Sequence, residues 1–329
     1  MRFAIAARIL ALLTLLAFGA SSLPSGAALA ADYPERPIHW LVPYPPGGTT
    51  DVIARDIAQA VSQVLGQPIV IDNRGGAGGQ IAMNDVAKAT PDGYMLLVSD
   101  ASLATAPSLY KQLPFDPVKD LRAIARFVTV PHIVVVNPSL QAKSLGELIA
   151  LAKQSPGTLN FGSGGVGSPL HLAGEALRIE TGIAWTHVPY KGAGPAILAV
   201  MSNEVQVATP SLPAALAFVQ TGKVRALAVM SPQRLAVLPD VPTVAELGYP
   251  KATVQGWVGL HAPAGTPPAV IATLEAAVTK ALQSTELREH LAAQGANVAV
   301  QSSAAYAQFV SDEAARWKQV VQAAGIPQE

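Results

Sequence analysis

From residue 38 onward, short runs of β-branched and apolar residues alternate with longer stretches whose apolar positions recur every three or four residues. Residues 38–42 read as a strand, and 51–65 as a helix with Val52, Ile53, Ala60, Val61 and Val64 roughly along one face. A strand at 69–71, a helix after Gly79 and a strand at 95–99 follow. The same grammar returns in strands at 159–161, 183–188 and 205–209, with helices at 170–180 and 196–201 between them. Such alternation predicts βα units around largely parallel sheets, an α/β fold.

The C-terminal stretch is different in kind. Thr266 reads as an N-cap with Pro267 at the first helical position, and Ile271, Leu274, Val278 and Leu282 follow at helical spacing. A last helix over 306–324 puts Tyr306, Val310, Trp317 and Val321 roughly on one side. Helices of this kind need a sheet to cover, and the strand predicted at 253–260 is too little alone. The tail is therefore expected to return to the first lobe. This gives one lobe of residues 31–130 plus 231–329 and a second, inserted lobe of residues 131–230.

The N-terminus explains part of the composition. Arg2 and Arg8 flank the start of an apolar stretch at 9–19, and Ala28-Leu29-Ala30 supplies a small-x-small cleavage site, the pattern of a secretory signal over residues 1–30 cleaved near Ala30. Eleven apolar residues cannot span a bilayer, which needs about twenty, and the polar and Gly/Pro-containing segment 21–26 ends the run. The chain has 329 residues, 50% hydrophobic and 13% charged, which first suggests a membrane protein. No other apolar run approaches membrane length, so a multi-span reading is excluded. With 22 basic against 22 acidic residues the excess charge that phosphate-backbone binding relies on is missing, and no nucleic-acid partner is expected. The absence of cysteine removes disulfides, a lipid anchor and a thiol nucleophile together.

Pro43-Tyr44-Pro45-Pro46-Gly47-Gly48-Thr49-Thr50-Asp51 carries the strongest local signal, because it follows the first strand and opens its helix. Adjacent glycines let backbone N–H groups turn toward an anion, and a helix start adds unpaired donors and the positive dipole end. The alternative is an ordinary loop with a threonine cap and Asp51 serving the first turn. Ser163-Gly164-Gly165-Val166-Gly167-Ser168 repeats the arrangement in the second lobe, so two such loops would face each other across a cleft. Lys191-Gly192-Ala193-Gly194 and Asp100-Ala101-Ser102 would add rims to it.

Residues 162–167 also satisfy GxGxxG, but the acid that should hold a ribose about twenty residues later is missing, since the next strand ends in Val188-Pro189-Tyr190. No cofactor is expected. GxSxG, GxxxxGK[ST] and HExxH are absent, and the six histidines lack metal-ligand spacing. Of these, His171 stands three residues after Ser168 and could point to the cleft. A Ser163–His171 nucleophile and base pair is conceivable but has no evident orienting acid.

These segments resemble the periplasmic solute-binding proteins of the tripartite tricarboxylate transporter family, the Bug proteins, over nearly the whole mature chain. The resemblance extends through Asp72-Asn73-Arg74-Gly75-Gly76-Ala77-Gly78-Gly79, Pro91-Asp92-Gly93-Tyr94, Leu113-Pro114-Phe115-Asp116-Pro117, His187-Val188-Pro189-Tyr190-Lys191-Gly192, Leu238-Pro239-Asp240-Val241-Pro242-Thr243 and Ala262-Pro263-Ala264-Gly265-Thr266-Pro267. It implies a two-lobed, type II-like Venus-flytrap fold with two crossing hinge strands and no enzymatic activity. A monomer would trap a small di-, tri- or aromatic carboxylate and present it to large and small membrane subunits. The alternatives are a ligand-dependent sensor partner or an exported enzyme that recruits Ser163, His171 or Lys191. In the family, the two glycine-rich loops hold one carboxylate while the far end of the cleft selects the rest of the ligand. The expected site is Tyr44, Pro46, Gly47, Gly48, Thr49, Ala101, Ser102, Ser163, Gly164, Gly165, Gly167, Ser168, His171, Tyr190, Lys191, Gly192 and Thr209. Three residues depart from the family pattern: Tyr44 replaces a usual phenylalanine, Gly75 a common proline, and Thr209 a common aspartate. Loss of that last acid argues for a plain or aromatic carboxylate over an amino-bearing one.

Overall fold

In the first sheet, β1 (Ile38–Val42) lies between β2 (Ile69–Asn73) and β3 (Met95–Asp100), all parallel. The computed structural model describes residues 33–328, so the signal segment expected over 1–30 lies outside them. β1 is buried at four of its five positions, the uninterrupted apolar run of a strand covered on both faces. Beyond β3 come β10 (Gln255–Pro263), β4 (Leu121–Pro131) and β11 (Asn297–Gln301), each antiparallel to its neighbour, to complete six strands in the order β11-β4-β10-β3-β1-β2. The second sheet runs β7-β6-β8-β5-β9. In it β6 (Asn160–Ser163), β7 (Thr186–Pro189) and β8 (Val207–Ala208) are parallel, and β5 (Ile133–Val136) and β9 (Arg225–Val229) are antiparallel additions. The result is the α/β, two-lobed architecture.

On the first sheet α1 (Thr49–Leu65), α2 (Gln80–Ala87) and α3 (Ala101–Leu109) follow the parallel strands; on the second, α4 (Leu145–Gln154) follows antiparallel β5, and α5 (Pro169–Thr181), α6 (Ala193–Met201) and α7 (Leu212–Gln220) follow parallel β6, β7 and β8. The tail supplies β10, α8 (Pro268–Ala281), α9 (Thr285–Ala293), β11 and α10 (Ser303–Ala324). Its strands join the first sheet, and Tyr306, Val310, Trp317 and Val321 are buried along α10 as their spacing predicts. Thr266 does not cap α8. That position is Pro267, the helix begins at Pro268, and the Thr266 hydroxyl is buried with no hydrogen-bond partner among the described residues.

β4 has no counterpart among the elements read from the pattern. Its partly exposed residues Arg122, Arg126 and Thr129 stand four and three apart, which imitates a helix. Two register shifts against β10, between Val258 and Gly259 and between Leu260 and His261, each insert one residue into the pairing and move the exposed side by one position.

The chain crosses between the sheets at His132, directly between β4 and β5, and again on the way from β9 to β10. Backbone bonds tie the crossings together: Met230 N–H to His132 O at 2.8 Å and Val254 N–H to Met230 O at 2.9 Å. Within the first lobe the Ser99 hydroxyl joins His261 Nδ1 at 2.7 Å and the Tyr306 hydroxyl at 2.9 Å, all buried between β3, β10 and α10.

Gly174 of α5 lies against Phe161 of β6, whose ring stacks on Trp185 at 4.7 Å between centroids. A Cβ at Gly174 would overlap that ring, so Gly174→Ala is expected to lower stability by about 1–3 kcal/mol in denaturant unfolding. Burial takes the His261 pKa down to about 3. In the unfolded chain this histidine titrates near 6.5, so acidification from pH 6.5 toward 3 protonates only the unfolded state and stability falls. Burial lowers His132, His171 and His187 in the same direction. Unfolding free energies measured at pH 7, 5.5 and 4.5 should decrease in that order, with a shallower slope in His261→Asn.

Candidate ligand-binding site

The loop after β1 is held from beneath by Asp51, which accepts hydrogen bonds from the Gly47 N–H at 2.9 Å, Arg55 Nε at 3.1 Å and Asn73 Nδ2 at 2.8 Å. Burial alone would raise the Asp51 carboxyl, but the bonds from Arg55, Gly47 and Asn73 outweigh it and hold the group below the usual carboxylate range. Asn73 also donates to the Tyr44 carbonyl at 3.0 Å. Gly47 takes φ +87°, a conformation that L side chains rarely adopt. Gly48 caps α1 without a side-chain bond, so the N–H groups of the first turn have no covering side chain from the cap.

That turn opens on a cavity of about 500 Å³ lined from both lobes. Among the described residues, five helices begin on it: α1 with Thr49 and Thr50, α3 with Asp100 and Ala101, α5 with Ser168 to Leu170, α6 with Gly192 and Ala193, and α7 with Ser211. Thr49 Oγ1 and Ser211 Oγ meet across the cleft at 3.4 Å. Val130, His132, Gly256, Trp257 and Val258 form the inner wall, and neither lysine nor arginine lines the space. A helix start carries roughly half a positive charge on its unpaired N–H groups, and those of α1 and α6 have no side-chain cap, whereas Asp100 caps α3 and Ser168 caps α5. The convergence of these starts turns N–H donors toward a cavity that no lysine or arginine lines.

One acid intrudes. The Asp100 carboxylate accepts from Ser102 N–H at 3.0 Å, Ser102 Oγ at 2.5 Å and Tyr44 Oη at 3.2 Å on one oxygen, and from Thr50 Oγ1 at 3.1 Å on the other. Burial pushes this carboxyl up, against the lowering effect of those bonds. Burial, with the Asp100 charge beside it, also raises the Tyr44 phenol, which stays a protonated donor.

Tyr44, Pro46, Gly47, Gly48, Thr49, Ala101, Gly164, Ser168 and Gly192 of the expected site line the cavity. The others do not. Ser102 acts through Asp100. Ser163 is buried, with its hydroxyl on His187 Nε2 at 2.6 Å, so the conceivable Ser163–His171 pair is not formed. The Gly165 N–H donates to Ser163 Oγ, the Gly167 N–H to His171 Nδ1 and the Ser168 N–H to the Gly165 carbonyl, so much of the second loop is bonded internally. His171 stacks on His187 at 3.9 Å and lines a different depression with Glu175 and Arg178. The Tyr190 hydroxyl donates to Glu204, and Lys191 is exposed. Thr209 is fully buried and donates to the Leu170 carbonyl at 2.6 Å, so its side chain does not set the polarity of the cleft.

Sequence reasoning missed His132, Ser211 and the β10 wall. Ser211 precedes Leu212-Pro213 after an apolar strand, which is a legible helix start. His132 becomes a wall residue only because the chain changes sheets there, and no local pattern encodes that.

The model described as "Tripartite tricarboxylate transporter family receptor" matches residues 53–326. The chain is 41% identical to Protein BugT of Bordetella pertussis over 302 residues, 91% of this chain and 93% of that protein. Among solved structures it is similar to an R. palustris protein with adipate (35% identity, TM-score 0.84, 91% of this chain and 100% of that one). It is also similar to MatC from Rhodopseudomonas palustris with bound malate (34% identity, TM-score 0.78, 88% and 100%). With its two-lobed fold and its match over most of its length, the chain belongs to the tripartite tricarboxylate transporter receptor family of Bug-type solute-binding proteins.

Proposed function

We propose that this protein is a periplasmic receptor that captures a small carboxylate in the interlobe cleft and delivers it to the large and small membrane subunits of a tripartite tricarboxylate-type transporter. The convergence of five helix starts on a cavity free of lysine and arginine carries this reading. The ligand carboxylate is received by the N–H groups of Thr49 and Thr50 and by the start of α6 at Ala193, which packs beside Gly164. Adipate and malate in the similar structures are of the same chemical class.

In this reading residues 1–30 direct export and are removed. Residues 31–130 with 231–329 close against residues 131–230 about the crossings at His132 and Met230. Closure is driven by a ligand that touches both lobes and so binds the closed state better. The chain acts alone and performs no chemistry on its cargo.

A thermal-shift screen of di-, tri- and aromatic carboxylates should find at least one that stabilises the protein progressively with concentration, by about 2.7 kcal/mol at a hundredfold excess over Kd. No stabilisation by any of them contradicts the reading. A Cβ built on Gly48, a cavity-lining residue, meets nothing nearer than the Pro45 carbonyl oxygen at 3.9 Å, an ordinary contact. Gly48→Leu should therefore abolish binding in calorimetry and leave the melting temperature of the free protein within about 2 °C.

A further inference from the structure

His132 is 2% exposed, and its place at the crossing fixes its chemistry. Nδ1 lies 2.8 Å from the Thr209 carbonyl, which can only accept, so Nδ1 carries the proton. Nε2 has no hydrogen-bond partner among the described residues and stands on the cavity wall, where a Cβ built on Gly256 would be 3.8 Å away. A buried imidazole in this arrangement is neutral and offers a lone pair at Nε2. Burial, which disfavours the charged ring, acts in the same sense.

The second acceptor is Asp100. Three donors crowd its Oδ1, whereas among the described residues Oδ2 accepts from Thr50 alone. Asp100 pairs with Val258 of β10, and Gly256, two residues along the same strand, lies under His132. One strand across and two residues along set the backbone at Asp100 on the order of 8 Å from the backbone at Gly256, over which Nε2 stands, a span that a short carbon chain covers. His132 on the inner wall and Asp100 at the start of α3 therefore present acceptors, while the starts of α1 and α6 present donors.

We propose that His132 and Asp100 make the cleft select carboxylates that also carry a hydrogen-bond donor, a hydroxyl or an ammonium group, over those whose remaining polar group is only a second carboxylate. This rests on the carboxylate reading of the cleft. It reverses the expectation drawn from Thr209, because the acid that matters stands at position 100. A bare second carboxylate facing His132 Nε2 would place two acceptors together, and facing Asp100 it would place two anions together; both are costly out of water.

The test is calorimetry on the full mature chain with matched probes: succinate, malate and aspartate; glutarate, 2-hydroxyglutarate and glutamate; adipate and 6-aminohexanoate. The donor-bearing member of a matched group is expected to bind at least about tenfold more tightly. His132→Asn keeps a donor for the Thr209 carbonyl but loses the group at Nε2 and should erase most of that ratio, while His132→Gln, which can return an acceptor to the Nε2 position, should keep it. Asp100→Asn preserves an oxygen to cap α3 and should lose the ammonium preference while retaining the hydroxyl one. Equal affinities within each group, or a His132→Asn variant that weakens all members alike, overturn this inference and leave the carboxylate reading standing. Failure of every probe to bind overturns both.

Discussion

A carboxylate brought into a cleft without lysine or arginine has to be held by main chain and by hydroxyl groups, and this constraint orders the rest of the molecule. Parallel βα units place every helix start at the carboxyl edge of its sheet. The two sheets together bring five starts onto one cavity. The architecture thus supplies the positive potential that side chains do not. The price is rigidity in the loops, met by Asp51 and Asn73, which fasten the first loop to β2, and by the Ser163–His187 and Gly167–His171 bonds, which fasten the second.

The crossings give the same cavity its inner wall. His132 bonds through its backbone to Met230, through its ring to Thr209, and through an isolated bridge to Ser211, so a single residue touches the chain on both routes between the sheets. In the proposed closure, a ligand group on its free nitrogen would act directly at the crossing. Asp100 does the corresponding work on the other side, tying the start of α3 to Tyr44 and Thr50 of the anion loop.

Much of this was legible in the sequence. The β1 loop opening on a helix and the apolar stripe of α10 follow from local residue chemistry, and the structure places them as read. The face read for α1 is displaced: Val52 is exposed, and the buried stripe is Ile53, Ala54, Ile57, Ala58 and Val61. Of the glycine-rich turn after β6, only Gly164 and Ser168 reach the cavity. What escaped depends on geometry that no window of sequence holds. The two bulges of β4 disguised its period as helical, and Thr266 yielded the cap of α8 to Pro267. His171 has the position of a cleft residue, yet it accepts the Gly167 N–H and turns to stack on His187. Thr209 carried an argument about pocket charge that its bond to Leu170 removes, and His132 entered the site only through the change of sheet.

The central claim is that helix starts, and not a cationic side chain, hold the ligand carboxylate. A crystal structure of the protein with a bound small carboxylate tests it most directly. The account predicts carboxylate oxygens within about 3.2 Å of backbone N–H groups at Thr49 or Thr50 and at Ala193. A carboxylate seated instead against the exposed Lys191 ammonium, or outside the cavity bounded by Tyr44, Gly164 and His132, would contradict it.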